Sequence, residues 1–242
     1  MNRYPAQQNW LRLLAAMIYL TGVLLTLALT IVAVWADAEA VFYGFNKLGD
    51  DPLETLRCPV LVTPNQPGLI TADFTNIGEK AINLTIHYSF SGSGAINRQN
   101  EKLPLEPYQT KTKTWQVTAQ QVDMHWFIFA QIGHFAARLM PFRYQTCGML
   151  MLPVPWLTGD QLFTLWFVLG VGGLVAGIGL WVRFSQPLEG KRFEVYRAMR
   201  FLAIFVLVSL LVALQGWWPI GILLLAGVFL TIASMLALTL MS

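Results

Sequence analysis

Ile82-Asn83-Leu84-Thr85-Ile86-His87-Tyr88-Ser89-Phe90 alternates apolar and polar side chains without a break. Successive side chains of a strand point to opposite faces. A period of two therefore sends Ile82, Leu84, Ile86, Tyr88 and Phe90 into a core and leaves Asn83, Thr85, His87 and Ser89 in water. The same rhythm recurs on either side, where Ile70, Ala72 and Phe74 alternate with Thr71, Asp73 and Thr75, and Trp115 and Val117 with Thr114, Gln116 and Thr118. Residues 126–132 and 147–152 are apolar at nearly every position, as central strands covered on both faces should be, and 58–62 offers a first strand. Thr63-Pro64-Asn65-Gln66-Pro67-Gly68, Asn76-Ile77-Gly78, Ser91-Gly92-Ser93-Gly94 and Leu103-Pro104-Leu105-Glu106-Pro107 supply turn chemistry between them. Six or seven short strands divided in this way predict an antiparallel β-sandwich over 58–155. It is immunoglobulin-like in general architecture, a level of likeness that carries no function.

Cys58 and Cys147 bracket that block, and with 2 cysteines in the chain there is one possible intrachain pairing. A disulfide between them would tie the first strand to the last and remove loop entropy worth roughly 4 to 5 kcal/mol in the chain-entropy model. A metal centre needs more ligands than a cysteine pair. Met140, Met149, Met151, His125 and His134 lie near Cys147 in sequence, but Met149 and Met151 fall on a strand, where methionine fills cores. No metal or cofactor site is expected.

Everything outside the block reads as membrane. The chain is 55% hydrophobic and only 12% charged over 242 residues, and its net charge of +3 is too small to suggest nucleic acid. Residues 13–34 form an uninterrupted apolar run, long enough at about 1.5 Å per residue to cross a hydrocarbon layer of roughly 30 Å. Residues 1–12 precede this first span, and 35–57, with Phe42, Tyr43 and Phe45 and then Gly49-Asp50-Asp51-Pro52, read as an interfacial connector. A cleaved signal peptide is the competing reading of the N-terminal run, but the run is too long for a typical signal core. Residues 162–182 make a second span, 201–215 a third and 220–241 a fourth. The third is short, so its helix should begin near Phe193. Trp10, Trp35, Trp156, Trp181, Trp217 and Trp218 flank these runs, where indole rings favour the membrane–water interface. Gly170, Gly173 and Gly177 keep one face of the second span narrow, and the G-x-x-x-G spacing of Gly173 and Gly177 would let another helix approach closely.

Charge distribution sets the expected orientation. Arg3, Arg12 and the loop 183–200, with Arg183, Lys191, Arg192, Arg197 and Arg200, oppose only Glu189 and Glu194, whereas the remaining acidic residues lie between Asp37 and Asp160. The positive-inside rule puts both termini and that loop in the cytoplasm of a plasma or inner membrane, with the sandwich outside.

The interiors of the four runs contain no Asp, Glu, Lys, Arg or His, which argues against a pump or carrier acting alone and against a span that ligates haem. His87, Ser89, Ser91, Ser93, Asp123 and His125 carry catalytic chemistry in other contexts. Here no G-x-S-x-G or H-E-x-x-H pattern frames them, and no enzyme is expected. The reading that remains is an accessory or structural subunit, partnered by other integral membrane proteins and lipids. An external ligand-binding, adhesive or sensory module is the alternative, with 91–99 or 126–135 as its site, and a metal-handling protein or enzyme comes third.

Overall fold

The computed structural model describes residues 5–45, 51–92, 96–136 and 140–241, the side chains of 5–8, 136, 140, 141 and 234–241 excepted. Arg3, Gly49, Asp50, Ser93, Gly94 and the Met140 side chain lie outside the described residues. The protein is α+β and divides into two compact units, one comprising Met1–Val34 and Thr164–Ser242 and the other Trp35–Phe163.

Unit Trp35–Phe163 is a two-layer β-sandwich. The large sheet is ordered β1 (Asp51–Pro52), β9 (Met140–Met151), β8 (Phe127–Ala136), β4 (Ile82–Phe90), β5 (Asn97–Leu105), with β2 (Leu61–Val62) also on β9 and β7 (Val122–Asp123) on β8. The small sheet pairs β3 (Gly68–Thr75) with β6 (Thr110–Val117). Alternation decides what faces inward. Ile70, Ala72, Phe74, Trp115 and Val117 from the small sheet meet Leu84, Ile86, Ile128, Ala130, Ile132 and Met149 from the large one. Phe74 sets its ring edge-on against His134 with centroids 5.8 Å apart, and Trp115 lies 5.8 Å from Tyr88.

Three expectations change. The sandwich is not wholly antiparallel, because β1 and β2 both run parallel to β9. The chain has to travel from Asp51 to Val62 along β9 before the turn at 63–66 can reverse it into β3. Residues 58–62 are not one strand either. Arg57 exchanges both backbone hydrogen bonds with Thr71 of the small sheet, whereas the Val60 and Val62 carbonyls accept from Leu150 and Leu152 beside the large one. The chain thus changes sheets around Cys58-Pro59, and proline suits a crossover because it has no N–H to leave unpaired. Finally, 97–105, for which the sequence pattern predicts no strand and which includes the turn candidate 103–105, is the edge strand β5, paired with β4 from Ile82↔Leu105 to Phe90↔Asn97. Its polar run escapes a hydrophobic pattern because most of its side chains face water, and Pro104 is tolerated because an edge strand has one unpaired side.

In the other unit, α1 (Pro5–Phe42), α2 (Gly159–Phe184), α3 (Lys191–Leu214) and α4 (Trp218–Met241) contribute their apolar lengths. α1 and α2 each cross the unit boundary. Among the described residues three helices are long and apolar enough to cross a membrane, Asn9–Phe42, Gly159–Phe184 and Lys191–Leu214, and Trp218–Ala233 is a shorter apolar helix. Their outward faces are apolar too: Leu13, Met17, Leu20 and Leu24 on α1, Leu165, Val168, Leu169 and Val175 on α2, and Phe201, Ile204, Val208 and Leu211 on α3 are all exposed. Helices greasy on buried and exposed sides alike belong in a membrane. α3 starts at Lys191, close to the expected start near Phe193, so much of the basic stretch 183–200 is helical. One bound differs from the sequence reading: α1 continues to Phe42, so the connector begins as helix.

Candidate functional site

The helix-packing glycines lie on one seam within the helical unit. A Cβ added at Gly177 would sit 2.5 Å from the Cβ of Tyr19, one at Gly173 2.9 Å from the Cα of Gly22, and one at Gly170 2.8 Å from the Thr26 hydroxyl. The helix they face is therefore α1. Its contribution, Tyr19, Gly22 and Thr26, was not visible in the sequence reading, although Gly22 is as tight as its partners, with 2.5 Å from an added Cβ to the Leu174 nitrogen. Small residues spaced by three and four on two apolar runs are the signal that could have paired them. Thr26 and Thr30 bury their hydroxyls by donating to the carbonyls four residues back. The Tyr19 hydroxyl donates to the Met199 carbonyl at 2.8 Å, fastening α1 to α3, and Arg12 Nε donates to the Phe184 carbonyl at the end of α2.

A second cluster, inside the β unit, seats the end of α1 on the outer face of the large sheet. Gly148 of β9 leaves room for the backbone of Ala36, and its N–H donates to Asp37 Oδ1 at 3.1 Å. Seven residues after Ala36, Tyr43 sets its ring at a tilt against Phe129, with centroids 4.6 Å apart, and donates its hydroxyl to Asp123 Oδ2. Burial first, then that bond and the Asp123 charge, push the Tyr43 phenol up to about 12, so it stays a proton donor at any ordinary pH. Phe129 is consequently fully buried although it points away from the sandwich core.

Cys58 and Cys147 form a disulfide with Cα atoms 6.5 Å apart, across a sequence separation of 89. Met149 and Met151 are buried core residues beside it. Among the described residues no three His, Cys, Asp or Glu side chains gather as a metal ion would require. His87 Nδ1 pairs with Asn100 Oδ1 at 2.5 Å and its ring leans on Phe135. The buried Ser91 hydroxyl donates to the Gln121 carbonyl and accepts from the Phe129 N–H, so it stitches loops together instead of facing a base. Of the stretch 91–99, residues 97–99 are strand. His134 is a buried interior member of β8, 7% exposed, with no partner on Nδ1. Burial, and secondarily Arg143 across the ladder, lowers its pKa.

That lowering sets a pH dependence. The folded protein holds fewer protons at this ring than the unfolded chain, whose imidazole titrates near pH 6.5. The stability it contributes is whole above that value and drains as pH falls through it toward the lowered folded pKa, by at most about 1.4 kcal/mol per pH unit. His134→Phe keeps the edge-on contact with Phe74 and removes the proton site. Thermal midpoints of the full chain should therefore converge for the two proteins at pH 7.5 and separate in favour of the variant at pH 5.5.

Of the flanking tryptophans, Trp10, Trp35, Trp156 and Trp217 are 61, 56, 75 and 60% exposed, whereas Trp181 and Trp218 are half-buried.

No protein-family model matches the chain, and no curated protein matches it. Similar solved structures include a CARDB domain from Pyrococcus furiosus in complex with di-metal ions, at 13% identity and a TM-score of 0.33, with 41% of this chain and 90% of that one covered. The C-terminal domain of wzt follows at 10% and 0.29, with 40% and 65% covered. Bacteroides uniformis β-glucuronidase stands at 8% and 0.31, with 40% of this chain but 12% of the enzyme covered. Likenesses this distant carry no argument about activity.

Proposed function

We propose that this chain is a non-catalytic accessory subunit of a larger membrane protein complex, built on four membrane spans with both termini cytoplasmic and the β-sandwich outside. The observation that carries the reading is a second small-residue face on α2. Gly172, Ala176 and Gly179 recur at helical spacing, all three are exposed, and a Cβ added at Gly172 or Gly179 meets nothing within 4 Å. The glycines that face α1 account for one side of this helix, and the open side suits a helix from another chain, since close backbone approach is what drives association in lipid. The arrangement of Arg12, Phe184 and the α3 start supports a cytoplasmic cluster of the basic residues. The Ser91, Asp123 and His87 bonds support a non-catalytic domain, because each group is engaged in holding strands or loops.

Purification of the tagged protein from its native membrane in mild detergent tests the reading. Stoichiometric partner chains should survive washing with the wild type and be lost from Gly179→Leu, whose own thermal midpoint should not fall. A lone wild-type chain would overturn the subunit reading and turn attention to the sandwich as a binding module.

A further inference from the structure

The end of α1 and the start of α2 both lie against the β unit near one end of one strand. On the incoming side the Ala36 backbone lies against Gly148, three residues before the end of β9. On the outgoing side Gly159, the first residue of α2, lies against the Leu61 carbonyl, the Thr63 hydroxyl donates to the Leu157 carbonyl at 2.7 Å, and Leu61 pairs with Leu150 of β9. On the opposite flank of β9, Met151 N–H donates to the Trp126 carbonyl at 2.6 Å. With strands about 4.8 Å apart, the turn 124–126 therefore stands roughly 10 Å from the point where the chain departs into α2.

This turn has the wrong residues for its backbone and the right ones for a lipid surface. Met124 and His125 have φ of 47° and 71°, a left-handed pair ordinarily given to Asn and Gly. Asp123 holds the strained turn by accepting the Met124 N–H at 2.8 Å while binding Tyr43. Met124 and Trp126 are each 51% exposed, on the same sheet end as exposed Trp156. α2 starts at this end of the sheet, with Gly159 against Leu61, and Gly159–Phe184 is long and apolar enough to cross a membrane.

We propose that the turn 124–126 is a bilayer-contact loop that seats Met124 and Trp126 at headgroup level in the membrane α2 enters. This rests on the membrane reading of the helices. Trp126 completes an aromatic belt with Trp35 and Trp156, and the strained backbone persists because it aims these side chains outward.

The test uses the full chain carrying a fluorescent label at Met124→Cys, at Trp126→Cys, or at Tyr108→Cys. Tyr108 is an exposed residue in the turn after β5, at the opposite end of the sheet. Each protein is reconstituted in phosphatidylethanolamine and phosphatidylglycerol vesicles containing acyl-brominated lipid, and checked for carbonate-resistant flotation. Labels at 124 and 126 should be quenched several-fold more strongly by bromolipid than the label at 108, and be shielded from aqueous iodide. Labels that behave as at 108 overturn the proposal, as does shielding from iodide without bromolipid quenching, which would mean a protein surface covers the turn. Failure to float would sink the membrane reading itself.

Discussion

Gly148→Ala should lower the thermal midpoint of the full chain in detergent by about 10 °C, the shift that roughly 3 kcal/mol produces in a protein of this size. A single methyl suffices because the obstacle is backbone: the added Cβ would stand 1.9 Å from the Ala36 carbonyl oxygen and 2.2 Å from its carbon. Overpacking normally costs about 1–3 kcal/mol, and the upper end applies where no flexible side chain can yield. β9 is held by β8 on one side and by β1 and β2 on the other, so the strand cannot retreat, and the end of α1 has to lift instead. Lifting it separates Asp37 from the Gly148 N–H and strips Tyr43 from Phe129, leaving an apolar ring uncovered. A midpoint equal to wild type would show that Ala36 does not rest on Gly148. The Cys58–Cys147 bond should remain resistant to alkylation in the variant, because it fastens β9 from the opposite, core side of the sheet.

What could be read from the chain follows how strongly each residue's surroundings are encoded locally. β4 was plain because one of its faces is wet and the other dry. β5 was hidden because Asn97 to Lys102 face water almost throughout, and the strand exists through its ladder with β4, a partner no local pattern reveals. The continuation of α1 past Val34 has a local signal in the alanines at 36, 38 and 40, strong helix formers, but the acidic residues between them end the apolar run at Val34. His134 shows the limit of type-based reading. A histidine near a strand end is ordinarily wet, and only the small sheet, through Phe74, makes this one dry. The glycine seam was half legible: G-x-x-x-G marked α2 as a packing helix, while on α1 the small residues Gly22, Thr26 and Thr30 carry the matching spacing with a single glycine among them. The turn 124–126 could not be singled out, since its strain is a property of φ and not of composition.

Gly177→Leu and Gly179→Leu should part sharply although they sit two residues apart on one helix. At 177 the new side chain would drive into Tyr19, with its Cβ 2.5 Å from the Tyr19 Cβ and 2.7 Å from its backbone nitrogen. At 179 it would meet open space. The first substitution forces α1 and α2 apart along the seam that Gly22, Gly173 and Gly170 share, and in lipid that close contact is the main source of association, because tails solvate a separated leucine face as well as a packed one. It also tilts Tyr19 away from the Met199 carbonyl, so a buried hydroxyl loses its acceptor and α1 its tie to α3. Together these should cost about 3 kcal/mol and take roughly 10 °C from the midpoint in detergent. Gly179→Leu should match wild type or exceed it slightly, since leucine in an exposed helical position is favoured over glycine by up to about 1 kcal/mol. Equal losses in the two variants would mean that bulk on α2 is harmful wherever it is placed, and would remove the specific seam with α1. A loss confined to position 177 assigns the narrow face to α1 and leaves the face at 179 free for a partner.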